Sequence, residues 1–534
     1  MFAFAILIGI YSYGIFALGV INLLYPISVM LLTLVWIISV AWWFGHVAKV
    51  KMPSIKDVDR SIKKLSILSK IFLPLLIVVW GINLIGALAP ELSFDALWYH
   101  LTIPKIFAQN HSVFYIPGGL YYYSLMPKLV DLLYIPSIML NSAIGAKLIH
   151  YSFGILTLIV LYKISRNYLS HALSFFVLLI FSANLVVAWE ATTAYIDLGR
   201  TFFEVMAVYG IILFIQEKKE LWLVESAIML GFAIATKLIA VGSLVVVGEL
   251  IIFLFRDNLL KAIKVSGLYS LIALMIPLPY FVFSFLQTGN PVYPLFTEFY
   301  ETQVQSFSFV SLFSDIWTVF VAGADPINPL YIIVFPLVFL VWSRLSRNER
   351  LIGIYVAISF VMWLITPRTG GGRFLLSYLP VFSLFIGIII FRLKNSHLRN
   401  IILIIGIVIA TSTIGYRAIA SKKYIPVIMG SETKNEFLEK NLDFTYGNFY
   451  DTTGYFAKNI GREDTVLVYG VHNLWYADFP FIHESYVESG DEFNYILAPS
   501  NMKLPQRFSV WNPTYMNGTI GITLYSQGGN TWIY

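Results

Sequence analysis

The sequence predicts a mainly α-helical chain that crosses a membrane many times, in about 13 transmembrane helices, and ends in a small extracytoplasmic α/β domain. Three observations predict it. The 534 residues are 58% hydrophobic and only 12% charged, whereas an ordinary soluble domain carries about 25% charge. The apolar residues gather in runs near the roughly 20 residues needed to cross a bilayer. From about residue 419 the composition returns to that of a water-soluble segment.

The runs fall at roughly 1–23, 27–46, 70–90, 142–162, 172–189, 198–215, 221–236, 238–255, 266–286, 328–342, 351–366, 374–391 and 400–418. The first has no basic flank and no small-residue cleavage site, so it is expected to be an uncleaved helix. Lysine and arginine concentrate in cytoplasmic loops. Lys49, Lys51, Lys56, Arg60, Lys63, Lys64 and Lys70 form one basic connection, and Lys163 with Arg166, Lys218 with Lys219, and Arg344 with Arg347 continue the bias. If thirteen helices alternate, all of these share one side, and the tail lies opposite. The net charge of +6 therefore belongs to the membrane topology, and no nucleic-acid partner is expected. The absence of cysteine excludes disulfides and thiolate metal sites.

The division expected is a membrane domain, 1–418, with outer loops 91–141 and 287–327, followed by an outer domain, 419–534. Within the tail, "REDTVLVYGVHN" alternates like a strand. "SETKNEFLEKNL" has helical spacing with Ser431 as its cap.

Unusual chemistry sits on the outer side. "ELSFDALWYHLTIPKIF", 91–107, carries Glu91, Asp95, His100 and Lys105. Asp95, between Phe94, Leu97 and Trp98, reads either as a partly desolvated general base or as the cap of a helix starting at Ala96. Pro104 is expected to kink or end that helix. His100 reads as a phosphate-orienting group or an ordinary interfacial histidine. Glu91, Asp95 and His100 match no strong metal spacing, so a divalent metal stays open as an unknown. "KLVDLLYI", 128–135, looks amphipathic and suited to the interface plane. "AYIDLGRTFFE" places Asp197 and Arg200 one turn apart at a helix start, with Glu204 one turn deeper. They read as a local ion pair or as site residues, because ionisable groups at membrane depth are costly. Lys237 interrupts "GFAIATKLIAVG", and Arg368 and Arg373 bracket "PRTGGGR". Outer cations run against the charge bias, and arginine beside glycines suits a closely approached phosphate.

The succession "FDALWYHLTIPK", "AYIDLGR", "ATKLIA", "TGNPVYPLF" and "GGGRFLLSYLP" resembles that of GT-C type membrane glycosyltransferases. The likeness is to the bacterial and archaeal relatives of protein O-mannosyltransferases and lipid A aminoarabinose transferases, and it covers roughly residues 70–392. The family's loop follows its first helix, whereas here it follows the third, so two helices are added in front, and Asp95 stands alone where many members carry paired acids. The resemblance implies transfer of a sugar from a polyprenyl-phosphate donor, with inversion, to a protein, lipid or glycan acceptor outside the cell membrane. It implies Asp95 as catalytic base. It also implies Arg373, Arg368, Lys237, Asp197, His100, Lys105 and Arg200 as substrate-binding residues. A lipid-linked sugar flippase, or a ligase using a pyrophosphate-linked donor, would share the helices and outer cations.

Overall fold

A computed structural model describes residues 1–47, 63–299, 309–323, 326–366, 371–528 and 531–534. All thirteen apolar runs are helical over most of their length, as expected where hydrocarbon leaves backbone groups no partner but their own helix. Length alone does not establish the expected count of thirteen. Eight described helices are long and apolar enough to cross a bilayer, or nine if Leu259–Met275 and Leu278–Thr288, bent by 60°, form one span. His171–Ser182, Leu221–Thr236, Leu238–Leu254 and Leu330–Arg344 are shorter. Hydropathy runs through the breaks that shorten them. Lys237, for example, is extended at φ −150°, ψ 117°.

Six helices position the site: α1 (Ile67–Ala87), α2 (Ala143–Arg166), α3 (Asp197–Glu217), α4 (Leu221–Thr236), α5 (Leu379–Arg392) and α6 (Ser396–Ser421). α3 and α5 are the most enclosed, and most residues of each are buried. α3 and α4 approach closely at Gly210, where a Cβ would lie 2.7 Å from that of Ser226. The loop after α1 holds a π-helical turn (Ala96–His100) and a short helix (Thr102–Gln109). Pro104 sits in the first turn of that helix, where its missing N–H is harmless, so it does not end it. The 128–135 stretch is not interfacial: Leu129–Leu133 is helical and wholly buried.

The tail builds a five-stranded sheet ordered β2-β1-β4-β6-β5. Its strands are β1 (Val466–Val468), β2 (Phe481–His483), β4 (Tyr495–Pro499), β5 (Asn512–Asn517) and β6 (Ile522–Ser526). β1 runs parallel to β2 and β4, while β6 is antiparallel to β4 and β5. β3 (Glu492–Phe493) and β7 (Trp532–Ile533) form a separate pair. The helix Lys434–Asn441 is capped by Thr433, not Ser431, through a reciprocal box with Glu436, because Thr433 stands the required three residues before a glutamate.

The sheet is fastened to the 91–141 loop. Lys105 Nζ donates to the carbonyls of Trp475 (2.9 Å) and Ala477 (2.7 Å) and reaches Asp478 at 3.4 Å. Tyr476 Oη donates to the Glu91 carbonyl at 2.8 Å. Gly118, at φ +80°, passes so near Ser485 that a Cβ would lie 1.6 Å from its carbonyl oxygen.

Candidate active site

Four of the singled-out side chains meet at one end of the bundle, each delivered by a helix end. Asp95 follows α1, Asp197 begins α3, Lys237 ends α4 and Arg373 precedes α5. Asp95 does not cap the turn that follows it. Its backbone N–H donates to Tyr195 Oη (3.1 Å), and its Oδ2 accepts from Tyr99 Oη (3.1 Å) and Arg373 Nη1 (2.8 Å). The Arg373 guanidinium stacks 4.8 Å from the centre of the Tyr195 ring. Its Nε faces Asp197 Oδ2 at 3.4 Å and Glu190 Oε1 at 3.8 Å. Lys237 Nζ donates to Asp197 Oδ1 at 2.7 Å.

Burial works to raise the Asp95 carboxyl, but Arg373, with His100 and Lys237 behind it, outweighs burial and holds it below the usual range. Glu190 is fully buried, and neither carboxylate oxygen has a hydrogen-bond partner. Burial, then the charge of Asp197, drives its carboxyl well above the usual range. Arg373 and Lys237 thus face the carboxylates of Asp95 and Asp197, with the buried Glu190 carboxyl 3.8 Å from the Arg373 Nε.

The other predicted residues lie around this centre. His100 Nδ1 is 2.7 Å from Asp131 Oδ1, and its ring lies 5.4 Å from that of Tyr195. Arg200 does not pair with Asp197. Its Nε donates to Glu204 Oε1 (2.6 Å), whose other oxygen accepts from Ser243 (2.7 Å), one turn deeper in α3. Lys105 is away from the centre, committed to the tail. Glu91 supports the backbone: Oε1 accepts from the N–H groups of Leu92 and Ser93, and Oε2 from that of Ala194. Arg368 lies outside the described residues, as does most of the basic connection near Lys49.

Sequence reasoning passed over Glu190, Tyr99, Tyr195 and His150. Tyr99 carries a usable signal, lying one turn beyond Asp95. His150 Nε2 accepts from Leu198 N–H (2.9 Å) while Nδ1 faces the Thr193 carbonyl (3.0 Å), so this neutral ring fixes the start of α3. The described residues hold no cluster of three His, Cys, Asp or Glu side chains arranged for a metal. Asp95 and Asp197 are instead committed to Arg373 and Lys237, a poor fit to a metal.

No family model and no curated protein sequence matches the chain. Solved structures do. The crystal structure of ArnT from Cupriavidus metallidurans bound to undecaprenyl phosphate superposes with a TM-score of 0.57 at 14% identity, over 85% of this chain and 97% of that one. The apo form gives 0.58 at 13%, with the same coverage. An oligosaccharyltransferase from Archaeoglobus fulgidus is more distant, at 0.47 and 12%, over 81% of this chain and 70% of that one. The chain shares the polytopic fold of ArnT, the fold that the succession of motifs along residues 70–392 implied.

Proposed function

We propose that the protein is a membrane glycosyltransferase that moves a sugar from a polyprenyl-phosphate donor to an acceptor hydroxyl, with inversion. The observation that carries this reading is the buried set of Asp95, Arg373, Asp197 and Lys237 at one end of an ArnT-like bundle. ArnT, of the same fold, has been solved with undecaprenyl phosphate bound. The gathering of the charges at one helix end, rather than along a path through the bilayer, favours a one-sided enzyme over a flippase. The charge bias of the connections supports an extracytoplasmic position for that end, with the tail on the same side of the cell membrane.

In this mechanism the donor phosphate draws Arg373 and Lys237 to itself. Asp95, losing its arginine, becomes a stronger base. It takes the proton of the acceptor hydroxyl as the oxygen attacks the anomeric carbon. The bond from that carbon to the phosphate oxygen breaks, and its electron pair leaves with polyprenyl phosphate. The two cations stabilise the charge that develops there. Asp197 positions Lys237. Attack from the face opposite the leaving phosphate inverts the centre. Arg368 is a further candidate for the phosphate.

The test is release of free polyprenyl phosphate from a panel of polyprenyl-phosphate sugars by purified protein, with a membrane extract supplying acceptor. Release with sugar appearing on acceptor is the expected result. Donor crossing liposomes uncleaved would make the protein a transporter, and release only from pyrophosphate-linked donors would make it a ligase of the other kind.

A further inference from the structure

A cavity of about 370 Å³ lies at the far end of the bundle from Asp95. α3 starts at Asp197, beside the charged centre, and runs 21 residues to Glu217, about 30 Å at 1.5 Å per residue. That is the thickness of a bilayer's hydrocarbon. Lys218 follows directly and lines the cavity, which therefore opens at the opposite membrane surface.

Lys218, Lys261 and Arg347, all exposed, line the cavity, and Glu220 is the one carboxylate that does. The Lys218 ammonium sits 5.9 Å from the centre of the Phe214 ring and that of Lys261 5.0 Å from Phe255, and both rings belong to the wall. Neighbouring charges are already matched: Lys219 pairs with Glu217 at 2.9 Å and Arg256 with Asp257 at 3.9 Å. Lys218, Lys261 and Arg347 form no ion pair among the described residues. Three such cations against one carboxylate favour an anion at this opening.

The rest of the wall is largely apolar. On helix Leu259–Met275, Lys261, Val265, Leu268 and Ile272 are spaced four, three and four residues apart, so they share one face. The stripe starts at a cation and continues apolar for about 16 Å. Leu223 of α4 and Leu254 line the cavity with it. Leu268 is 57% exposed, and Ile263 and Leu271 beside it are exposed too, so this side opens to hydrocarbon. Tyr269, a polar side chain in the wall, shares its hydroxyl with Ser226 at 2.9 Å. A charged head on an apolar chain matches this layout. Free phosphate would leave the stripe uncovered, and a peptide would bring backbone groups that an apolar wall does not meet.

We propose that the cavity binds an anionic phospholipid of the bilayer, its phosphate among Lys218, Lys261 and Arg347 and one acyl chain along Val265, Leu268 and Ile272. The site lies a bilayer's thickness from Asp95, and the inference does not depend on the sugar-transfer reading. The charge bias of the connections supports the cytoplasmic leaflet for this surface, the leaflet in which anionic lipids attract lysine and arginine.

Native mass spectrometry of the full-length protein, delipidated in detergent and titrated with phosphatidylglycerol or phosphatidylcholine, tests it. One phosphatidylglycerol should bind about a hundredfold tighter than phosphatidylcholine. Lys218→Gln, Lys261→Gln and Arg347→Gln should each weaken it about fivefold, and the triple variant should bring it to the level of phosphatidylcholine. Val265→Trp, which fills the cavity and keeps all three cations, should weaken it about tenfold. Lys264→Gln, on the same helix but outside the cavity, should change nothing. Because the three cations are exposed, their variants keep the test open even if Val265→Trp fails to fold. Equal affinity for the two lipids, or equal losses in Lys264→Gln and Lys261→Gln, would reduce the binding to unspecific attraction around the protein and overturn the proposal. Displacement of phosphatidylglycerol by inorganic phosphate, with Val265→Trp binding as wild type does, would assign the cavity to a soluble anion and overturn it as well.

Discussion

Replacing Asp95 by Asn separates the charge of this residue from its place in the structure. One oxygen, Oδ2, accepts from both Arg373 (2.8 Å) and Tyr99 (3.1 Å), and an asparagine carbonyl can take both. Arg373 keeps Asp197 at 3.4 Å, so no buried cation is stranded. The stability cost is then that of turning a charge-assisted bond into a neutral one, about 1–2 kcal/mol. Catalysis should suffer far more. Loss of a positioned base is worth 10²–10⁴ in rate, or about 3–5 kcal/mol at the barrier. The assay is single-turnover release of polyprenyl phosphate across pH. The base must be deprotonated, so wild-type activity falls as pH falls through its pKa. For kcat/KM that limb lies below the usual carboxylate range, because Arg373 holds Asp95 down in the free protein. For kcat it lies at higher pH, because the donor phosphate has taken the arginine. Asp95→Asn turning over within tenfold of wild type, with a retained low-pH limb, would refute both the role and the exchange of partners.

Lys105→Met should loosen the tail by about 2–4 kcal/mol, since two carbonyls lose their donor. Hydrogen exchange at 475–478 measures this, and donor affinity should stay unchanged if Lys105 is structural. Gly118→Ala should expose 483–487 to exchange, because its Cβ collides with the Ser485 carbonyl at a φ of +80°. His483 contributes stability that is present above its ordinary pKa of 6.5 and lost as pH falls toward about 4. Wild type should lose roughly 3 kcal/mol over that window relative to His483→Leu, measured by denaturant unfolding of the tail's fluorescence. Equal pH dependence of the two would refute the assignment.

Asp95, Asp197, Lys237 and Arg373 stood out in the sequence because charge at the end of an apolar helix is costly and easily seen. Their pairing did not. Local spacing favours Asp197 with Arg200, yet tertiary packing gives Asp197 to Lys237, forty residues on, and Arg200 to Glu204. Glu190 lies in the same acidic stretch, but nothing local distinguishes a carboxyl facing Arg373 from one facing outward. Lys105 resembled a site residue because it adjoins the Asp95 motif, whereas its partners lie some 370 residues away in an unremarkable "LWYAD". The helices were legible as apolar runs. Their breaks were not, since one extended residue scarcely alters the hydropathy of its neighbourhood.

The fastening of the sheet to the 91–141 loop bears on modularity. Helix Lys434–Asn441 packs its Phe437 and Leu438 into the same core as the bundle, as do Trp475 and Tyr476. A chain cut at 418 would leave the Lys105 ammonium facing empty space and the Glu91 carbonyl without its tyrosine. A tail borrowed from another protein would have to reproduce the carbonyl pair at Trp475 and Ala477 and the passage beside Gly118. Loop and sheet are therefore expected to diverge together and to be exchangeable only as one piece, so a folded chimera must carry both.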